Sequence, residues 1–224
     1  AYTSGEALAA QAGITRAGIW KQVQLLRELG YQIESSPRKG YRLTGVPSTL
    51  NSHEIRDGLS AKVIGQVIYY ASQVDSTNLW AKELANQGAV EGSLVIAETQ
   101  TKGRGRLGRS WESTPGKGLW LSLILRPKIN SLNLAGITLI TAVAMAQAIF
   151  DETGIQVAIK WPNDLVYQGR KLAGILAEIN GEMDLINYLV IGIGLNVSQA
   201  ESDFPVELQE KATSLLLAGN RVWE

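Results

Sequence analysis

Over the first 47 residues the apolar positions fall into short helical stripes. SGEALAAQAG predicts a helix that Ser4 can cap and Gly13 can end. Thr15 opens a second helix, which runs through Leu29 and stops at Gly30. In it Ile19, Val23 and Leu26 recur at i, i+4 and i+7 as a core stripe, and Arg16, Trp20, Gln24 and Arg27 fall on another face. YQIE and GYRL predict two strands around the basic tip SSPRKG. Helix, turn, helix and basic hairpin make a winged helix-turn-helix over residues 1–47.

Beyond GVPSTLNS, a linker by its Gly, Pro and Ser content at residues 45–52, the pattern changes. VIGQVIYYASQ, SLVIAETQT, GLWLSLILRP and LINYLVIGIGLNV predict strands. VAIKWPNDLVYQGRKLAGILAEI predicts two more, with a turn at QGRK and Pro162 interrupting the first. TNLWAKELANQG and ITLITAVAMAQAIFDETG predict helices, the second of them buried. Hairpin-like spacings outnumber strand-helix-strand crossovers. The expected fold for residues 48–224 is therefore α+β, with a mixed, largely antiparallel sheet and helices packed on one face.

Composition narrows the chemistry. The 224 residues are 45% hydrophobic and 19% charged, which fits a soluble globular chain. There is no cysteine, so disulfides and thiolate metal sites are excluded, and the one histidine, His53, predicts a surface residue. No signal peptide or membrane-spanning apolar run is evident, so a cytoplasmic protein with no membrane partner is expected. The net charge of zero is unevenly spread. Residues 1–47 carry six Lys/Arg against three Glu, an excess of three positive charges that points to nucleic acid for that segment alone. Thr15, Arg16, Trp20, Lys21, Gln24, Arg38 and Lys39 are the candidate DNA-binding residues, the helix facing the major groove and the wing facing phosphates. The alternative is a small helical domain that binds no DNA.

GRGRLG at 103–108 matches the G-x-G-x-x-G spacing of dinucleotide sites. No helix opens on it, because Pro115, Gly116 and Gly118 follow, and no carboxylate stands in residues 119–128. Its backbone N–H groups and Arg104, Arg106 and Arg109 instead suggest a loop that closes on an anion, with Trp111 offering a flat face; an RNA-contacting loop is the alternative. DSTN at 75–78 is either a plain helix cap or a set of short hydrogen-bonding groups. Lys160, Asn163, Asp164, Arg170 and Lys171 are too polar for adjacent core strands without a purpose. Lys160 and Asp164 are also candidates for a structural ion pair. GIGLN at 192–196 ends a strand, and Asn196 can pair with an adenine edge.

DSTN, GRGRLGRSW, KWPNDL, RKLAGIL and GIGLN, in this order and behind a winged helix, resemble the bacterial bifunctional biotin protein ligases, also known as biotin operon repressors. The resemblance runs over essentially the whole chain. It implies activation of biotin with ATP and Mg²⁺ to biotinyl-5′-adenylate, then transfer to one lysine of the biotin carboxyl carrier protein of acetyl-CoA carboxylase. It also implies a homodimer, when the adenylate is bound, on biotin operator DNA. Lys171, Arg106 and Arg104 are then the catalytic residues. The binding set is Ser76, Thr77, Asn78, Gln100, Gly103, Arg104, Gly105, Arg106, Arg109, Trp111, Asn163, Lys171, Gly174 and Asn196. Ser76, Thr77 and Gln100 suit the ureido ring, and Trp111, Asn163 and Asn196 suit adenine. Asp164 is a candidate metal ligand or a proton acceptor for the second step, with Mg²⁺ more simply carried on the phosphates. Leu107 departs from the family's extra arginine. Neither the first helix of the winged helix nor the closing SH3-like domain is evident, so a chain truncated at both ends is expected. A lipoate-protein ligase and a biotin-sensing regulator without ligase activity are the rival readings, as is a ligase with a vestigial DNA-binding segment.

Overall fold

The structure, a computed structural model, describes residues 1–47, 50, 52–127, 134–182 and 185–223. It divides into two units, Ala1–Thr49 and Leu50–Glu224. Residues 48, 49 and 51 of the expected linker lie outside the described residues.

In the first unit α1 (Gly5–Ala12) starts on Ser4, whose hydroxyl accepts from the Ala7 amide, and ends on Gly13 in the left-handed region at φ 65°. Helix α2 (Arg16–Glu28) starts on Thr15, whose hydroxyl accepts from the Gly18 amide. Ala9, Ile19 and Val23 are buried together, with Leu8, Ile33 and Tyr41 packed on them. Leu26 is only partly buried, so the predicted stripe is one residue shorter at its end. Strands β1 (Gln32–Ser36) and β2 (Gly40–Gly45) pair antiparallel as the wing. Arg27 leaves the outer face on which the periodicity placed it. It donates to the Ile33 carbonyl and to the Ser35 hydroxyl, which ties α2 to the wing.

The second unit opens with α3 (Ser52–Asp57), which carries the exposed His53. Its sheet contains β3 (Ile68–Val74), β4 (Leu94–Gln100), β5 (Gly118–Leu125), β6 (Ala158–Lys160), β7 (Asp164–Tyr167), β8 (Arg170–Glu182) and β9 (Leu185–Asn196). The spatial order is β3-β4-β5-β9-β8-β7-β6, and among the described residues β3 with β4 is its one parallel pair. A parallel pair needs a crossover, and α4 (Thr77–Asn86) supplies it.

The helices lie on both faces rather than one. Val190 packs with Ala81 and Ala85 of α4, together with Val95 and Ile124. Its neighbours Leu189 and Ile191 pack with Ala142 and Ile149 of α5 (Leu134–Thr153). Successive strand residues face opposite ways, so α4 and α5 cover opposite sides. Nor is α5 wholly buried: it is apolar all round, and Ile140, Val143 and Phe150 are exposed. Two short helices the pattern did not predict, α6 (Val206–Gln209) and α7 (Leu215–Gly219), follow β9. Among the described residues no helix is long and apolar enough to cross a membrane.

One glycine fixes the wing. Thr3 exchanges backbone hydrogen bonds with Tyr41, and Gly40 sits beside this bridge at φ 100°. A Cβ at residue 40 would lie 2.1 Å from the Thr3 carbonyl oxygen. Gly40→Ala is expected to destabilise the first unit by roughly 1–3 kcal/mol, read as a lower melting transition in calorimetry.

Candidate functional site

The site is built where strands lose their side chains. On the α4 side of the sheet, Gly174 of β8 stands opposite Gly194 of β9, and Leu176 stands opposite Gly192. A Cβ at Gly194 would come within 2.5 Å of the Trp111 indole, and one at Gly174 within 2.8 Å. A Cβ at Gly192 would meet Asn78 Oδ1 at 2.0 Å. These glycines let an indole and an amide rest directly on the strand backbones.

DSTN puts its side chains at the entry of α4. Ser76 occupies the N-cap position but makes no capping bond, and its buried hydroxyl has no partner. The plain-cap reading of this motif is therefore set aside. Thr77 donates to Gln100 Oε1 from both its amide and its hydroxyl, at 2.8 and 3.1 Å. Gln100 in turn donates to the Ser113 hydroxyl. The buried Ser122 hydroxyl lies 2.6 Å from Asn78 Oδ1 and 2.9 Å from Thr77 Oγ1. Asp75 turns away to Lys102 and Thr101, and the bond from Lys102, followed by that from Thr101, holds its carboxyl below the ordinary value.

The GRGRLG segment forms a tight excursion, not a nucleotide-binding turn into a helix. Gly105 N–H donates to Arg109 O, Trp111 N–H donates to Gly103 O, and Arg104 bridges Ser110. Leu107 and Gly108 stand at its tip with φ of 57° and 76°, and Leu107 is 88% exposed. Behind the tip, Arg106 donates to Asn163 Oδ1 at 3.1 Å. Ser76, Thr77, Asn78, Gln100, Arg104, Gly105, Arg106, Trp111, Asn163, Lys171 and Gly174, all expected from the sequence, line one cleft. Gly103 lines no part of it; its place is a close approach, since a Cβ there would lie 2.3 Å from Trp111 O. The cleft's open volume is about 40 Å³, well below the roughly 300 Å³ at which ligand pockets begin. An adjoining cavity of about 450 Å³ takes Arg109, Asp164 and Asn196 into its walls. Trp111 and Lys171 belong to the walls of both, so movement of these two side chains would join them.

Lys171 begins β8. Its ammonium is 2.8 Å from Asp164 Oδ1, too oblique for a formed hydrogen bond, and 5.1 Å from the centroid of the Trp111 ring. Lys160 is Asp164's cross-strand neighbour, but the ion pair predicted for those two is made by Lys171 instead. The backbone of Lys171 bonds to Lys211 and Thr213, and Arg170 donates to the carbonyls of Ala212 and Gln209. Both asparagines named for adenine are engaged within the protein. Asn163 holds Arg106 and donates to Ile175 O, and Asn196 donates to Thr213 O while accepting from Gln199. Trp111 Nε1 is a buried donor without a partner, as are the Ser76 hydroxyl and Trp120 Nε1.

The sequence reading missed Glu178 and Ser122. Glu178, on β8, accepts from Lys82 Nζ at 2.6 Å and from Asn78 Nδ2 at 2.7 Å, and lies 3.7 Å from Arg104. Its burial alone would raise the carboxyl. The bonds from Lys82 and Asn78 and the charges of Lys82 and Arg104 outweigh that and hold it below the ordinary value of 4.5. A lone Glu in a strand carries no motif. Only its apolar surroundings in AGILAEI hinted that it would need partners.

The first unit carries its own exposed features. Arg16, Trp20 and Arg38 line a hollow between α2 and the wing, and Trp20 is 55% exposed. Lys21 and Lys39 are exposed outside it, Gln24 is half-buried, and the Thr15 hydroxyl is spent on its cap.

A cation-lined cleft beside unpartnered buried polar atoms lies on a glycine-floored mixed sheet, and the chain belongs to the Biotin/lipoate A/B protein ligase family. The profile of the Biotin/lipoate A/B protein ligase family matches residues 70–196, and an HTH domain profile matches residues 1–42. The chain is 47% identical over 214 residues to the Bifunctional ligase/repressor BirA of Bacillus subtilis (strain 168), covering 96% of this chain and 66% of the relative. It is 36% identical to the protein of that name from Escherichia coli (strain K12), over 88% of this chain and 60% of the relative. Among solved structures it is similar to a biotin protein ligase from Aquifex aeolicus in complex with biotin and ATP. That similarity has a TM-score of 0.62 and 34% identity, over 71% of this chain and 63% of the other. The chain thus spans about two thirds or less of the length of these relatives.

The depressed carboxyl of Glu178 has a thermodynamic consequence. A group whose folded value is lowered contributes stability in full above its ordinary value and loses it as pH falls through the folded value. Melting temperatures of the parent chain are expected to fall faster than those of Glu178→Gln as pH drops below 4.5.

Proposed function

We propose that the chain activates biotin with ATP to biotinyl-5′-adenylate and passes biotin to one lysine of the biotin carboxyl carrier protein of acetyl-CoA carboxylase. The observation that carries this is the pairing, in one cleft, of the unpartnered Ser76 hydroxyl with the cations of Arg104, Arg106 and Lys171. Biotin has this polarity: a ureido ring that needs hydrogen-bond partners at one end and a carboxylate at the other. Ser76 and the Thr77–Gln100 pair take the ureido end. The arginines and Lys171 offset the repulsion between the biotin carboxylate and the α-phosphate it attacks, and they stabilise the charge that builds up as pyrophosphate leaves. Trp111, with its unpartnered Nε1–H beside the 450 Å³ cavity, is our assignment for the adenine face.

The first step needs no general base, because the nucleophile is already ionised, and that suits a chain with one histidine and no cysteine. In the second step the acceptor amine loses a proton and AMP leaves. We assign that proton to Asp164, which lines the adjoining cavity. Closure of the loop over the mixed anhydride keeps water from it. The residues do not fit a protein-held Mg²⁺: Asp164 is paired with Lys171, and no group of three metal-ligating side chains occurs among the described residues. A divalent cation would travel on the nucleotide's phosphates.

The first unit, in this reading, binds biotin operator DNA, with dimerisation when the adenylate is bound and a cytoplasmic setting. The hollow of Arg16, Trp20 and Arg38 supports it, as does the exposed cationic wing tip. The bifunctional relatives favour biotin over lipoate and favour a working repressor segment.

With biotin, Mg²⁺ and α-labelled ATP, the chain is expected to form labelled biotinyl-adenylate. Lys171→Ala and Arg106→Ala should each lower the rate by about 10²–10³-fold, as loss of a transition-state charge partner does. Adenylate formation with lipoate but not biotin would replace this reading with the lipoate one. For the DNA role, Arg38→Ala/Lys39→Ala is expected to weaken operator binding in a gel shift and to flatten the log–log salt dependence by about two. An unchanged slope would take the wing off the phosphates.

A further inference from the structure

We infer that Glu178 is a positioning residue for biotin: one carboxylate that sets the Asn78 amide and holds Arg104 at the cleft. This inference rests on the biotin reading above. Glu178 works from both oxygens. Oε2 accepts from Asn78 Nδ2 at 2.7 Å, and Oε1 accepts from Lys82 Nζ at 2.6 Å while lying 3.7 Å from Arg104 Nη1. Its side chain is 18% exposed, so these charge-assisted bonds are sheltered from water.

The consequence runs into the cleft through Asn78. With Nδ2 turned to Glu178, and more weakly to Leu176 O at 3.4 Å, Oδ1 is turned to the Ser122 hydroxyl at 2.6 Å. Ser122 also meets Thr77, and Thr77 meets Gln100. The carboxylate therefore stands at the head of a polar chain, Glu178–Asn78–Ser122–Thr77–Gln100, that runs along the cleft wall. The missing Cβ at Gly192 gives the Asn78 amide its place against the sheet. On its other oxygen the same carboxylate has Arg104 of the arginine loop in ion-pair reach. One carboxylate thus acts on both the hydrogen-bonding and the cationic walls.

Glutamine cannot replace it. It has one acceptor oxygen for donors on two sides, so its NH₂ must face either the Lys82 ammonium or the Asn78 amide. It also leaves Arg104 without its counter-charge.

The test is biotin affinity by isothermal titration calorimetry on the whole chain, with a melting curve for each variant. Glu178→Gln is expected to weaken biotin by about tenfold, the loss of one charge-assisted interaction. The double variant Asn78→Asp/Glu178→Gln lets the glutamine NH₂ donate to the carboxylate introduced at position 78, which still accepts from Ser122. That carboxylate also has Lys82 at i+4 on the same helix. This variant is expected to recover part of the affinity, because the hydrogen-bonded pair is restored but the partner of Arg104 is not. A purely structural role predicts no such recovery. If Glu178→Gln does not fold, the double variant carries the test, and affinity more than about a hundredfold below the parent would overturn the assignment. So would Glu178→Gln binding biotin within about twofold of the parent, or a double variant no better than the single one. A parent chain that binds no biotin would overturn the ligand reading, and this assignment with it.

Discussion

The site depends on bare strand backbone at Gly174, Gly192 and Gly194. A methyl group at any of the three would overlap Trp111 or Asn78. Backbone atoms are close-packed and cannot shift by an ångström without disturbing their ladder, so small residues are required here. Trp111 anchors the end of the arginine loop on two of these glycines, and Asn78 seats the start of α4 on the third. With those two contacts made, the loop and the helix are held over the same patch of sheet. Arg104, Arg106, Ser76 and Thr77 then face one cleft although they come from different parts of the chain.

Around that floor the polar groups are satisfied in a graded way. Glu178, Asn78, Ser122, Thr77 and Gln100 form a chain of hydrogen bonds along one wall. Ser76 Oγ and Trp111 Nε1 remain buried without partners. Unpaired buried polar atoms cost stability, and each calls for a partner such as water or a ligand. Their location in the walls of the cleft and of its neighbour supports a ligand as that partner.

Much of this could be read from the chain. The caps at Ser4, Thr15 and Gly13, the two wing strands, the crossover helix and the run of strands follow from local chemistry, and local chemistry is what a sequence displays. The motifs stood out as a candidate set because glycines and cations weaken apolar strands that serve only as core, and most of them line one cleft. What was not legible depends on pairing across distance. The faces covered by α4 and α5 are set by strand order, which periodicity does not encode. Arg27 reads as an outward cation until the wing brings Ile33 and Ser35 beneath it. Asp164 reads as a partner for Lys160 because they are close in sequence, and the bulge between Leu165 and Val166 accompanies the pairing with Lys171 instead. Glu178 has no motif at all, and its three partners lie about 75 to 100 residues away.

The tip of the arginine loop separates two demands on one short segment. Leu107 points into solvent from a left-handed backbone position, between the arginine that meets Asn163 and a glycine that turns the chain back. Its side chain touches nothing that the cleft uses. Residue 107 can therefore be exchanged, remodelling what the outside of the loop presents, without disturbing the contact of Arg106 with Asn163. In such a loop the outer surface and the cleft can change independently of each other.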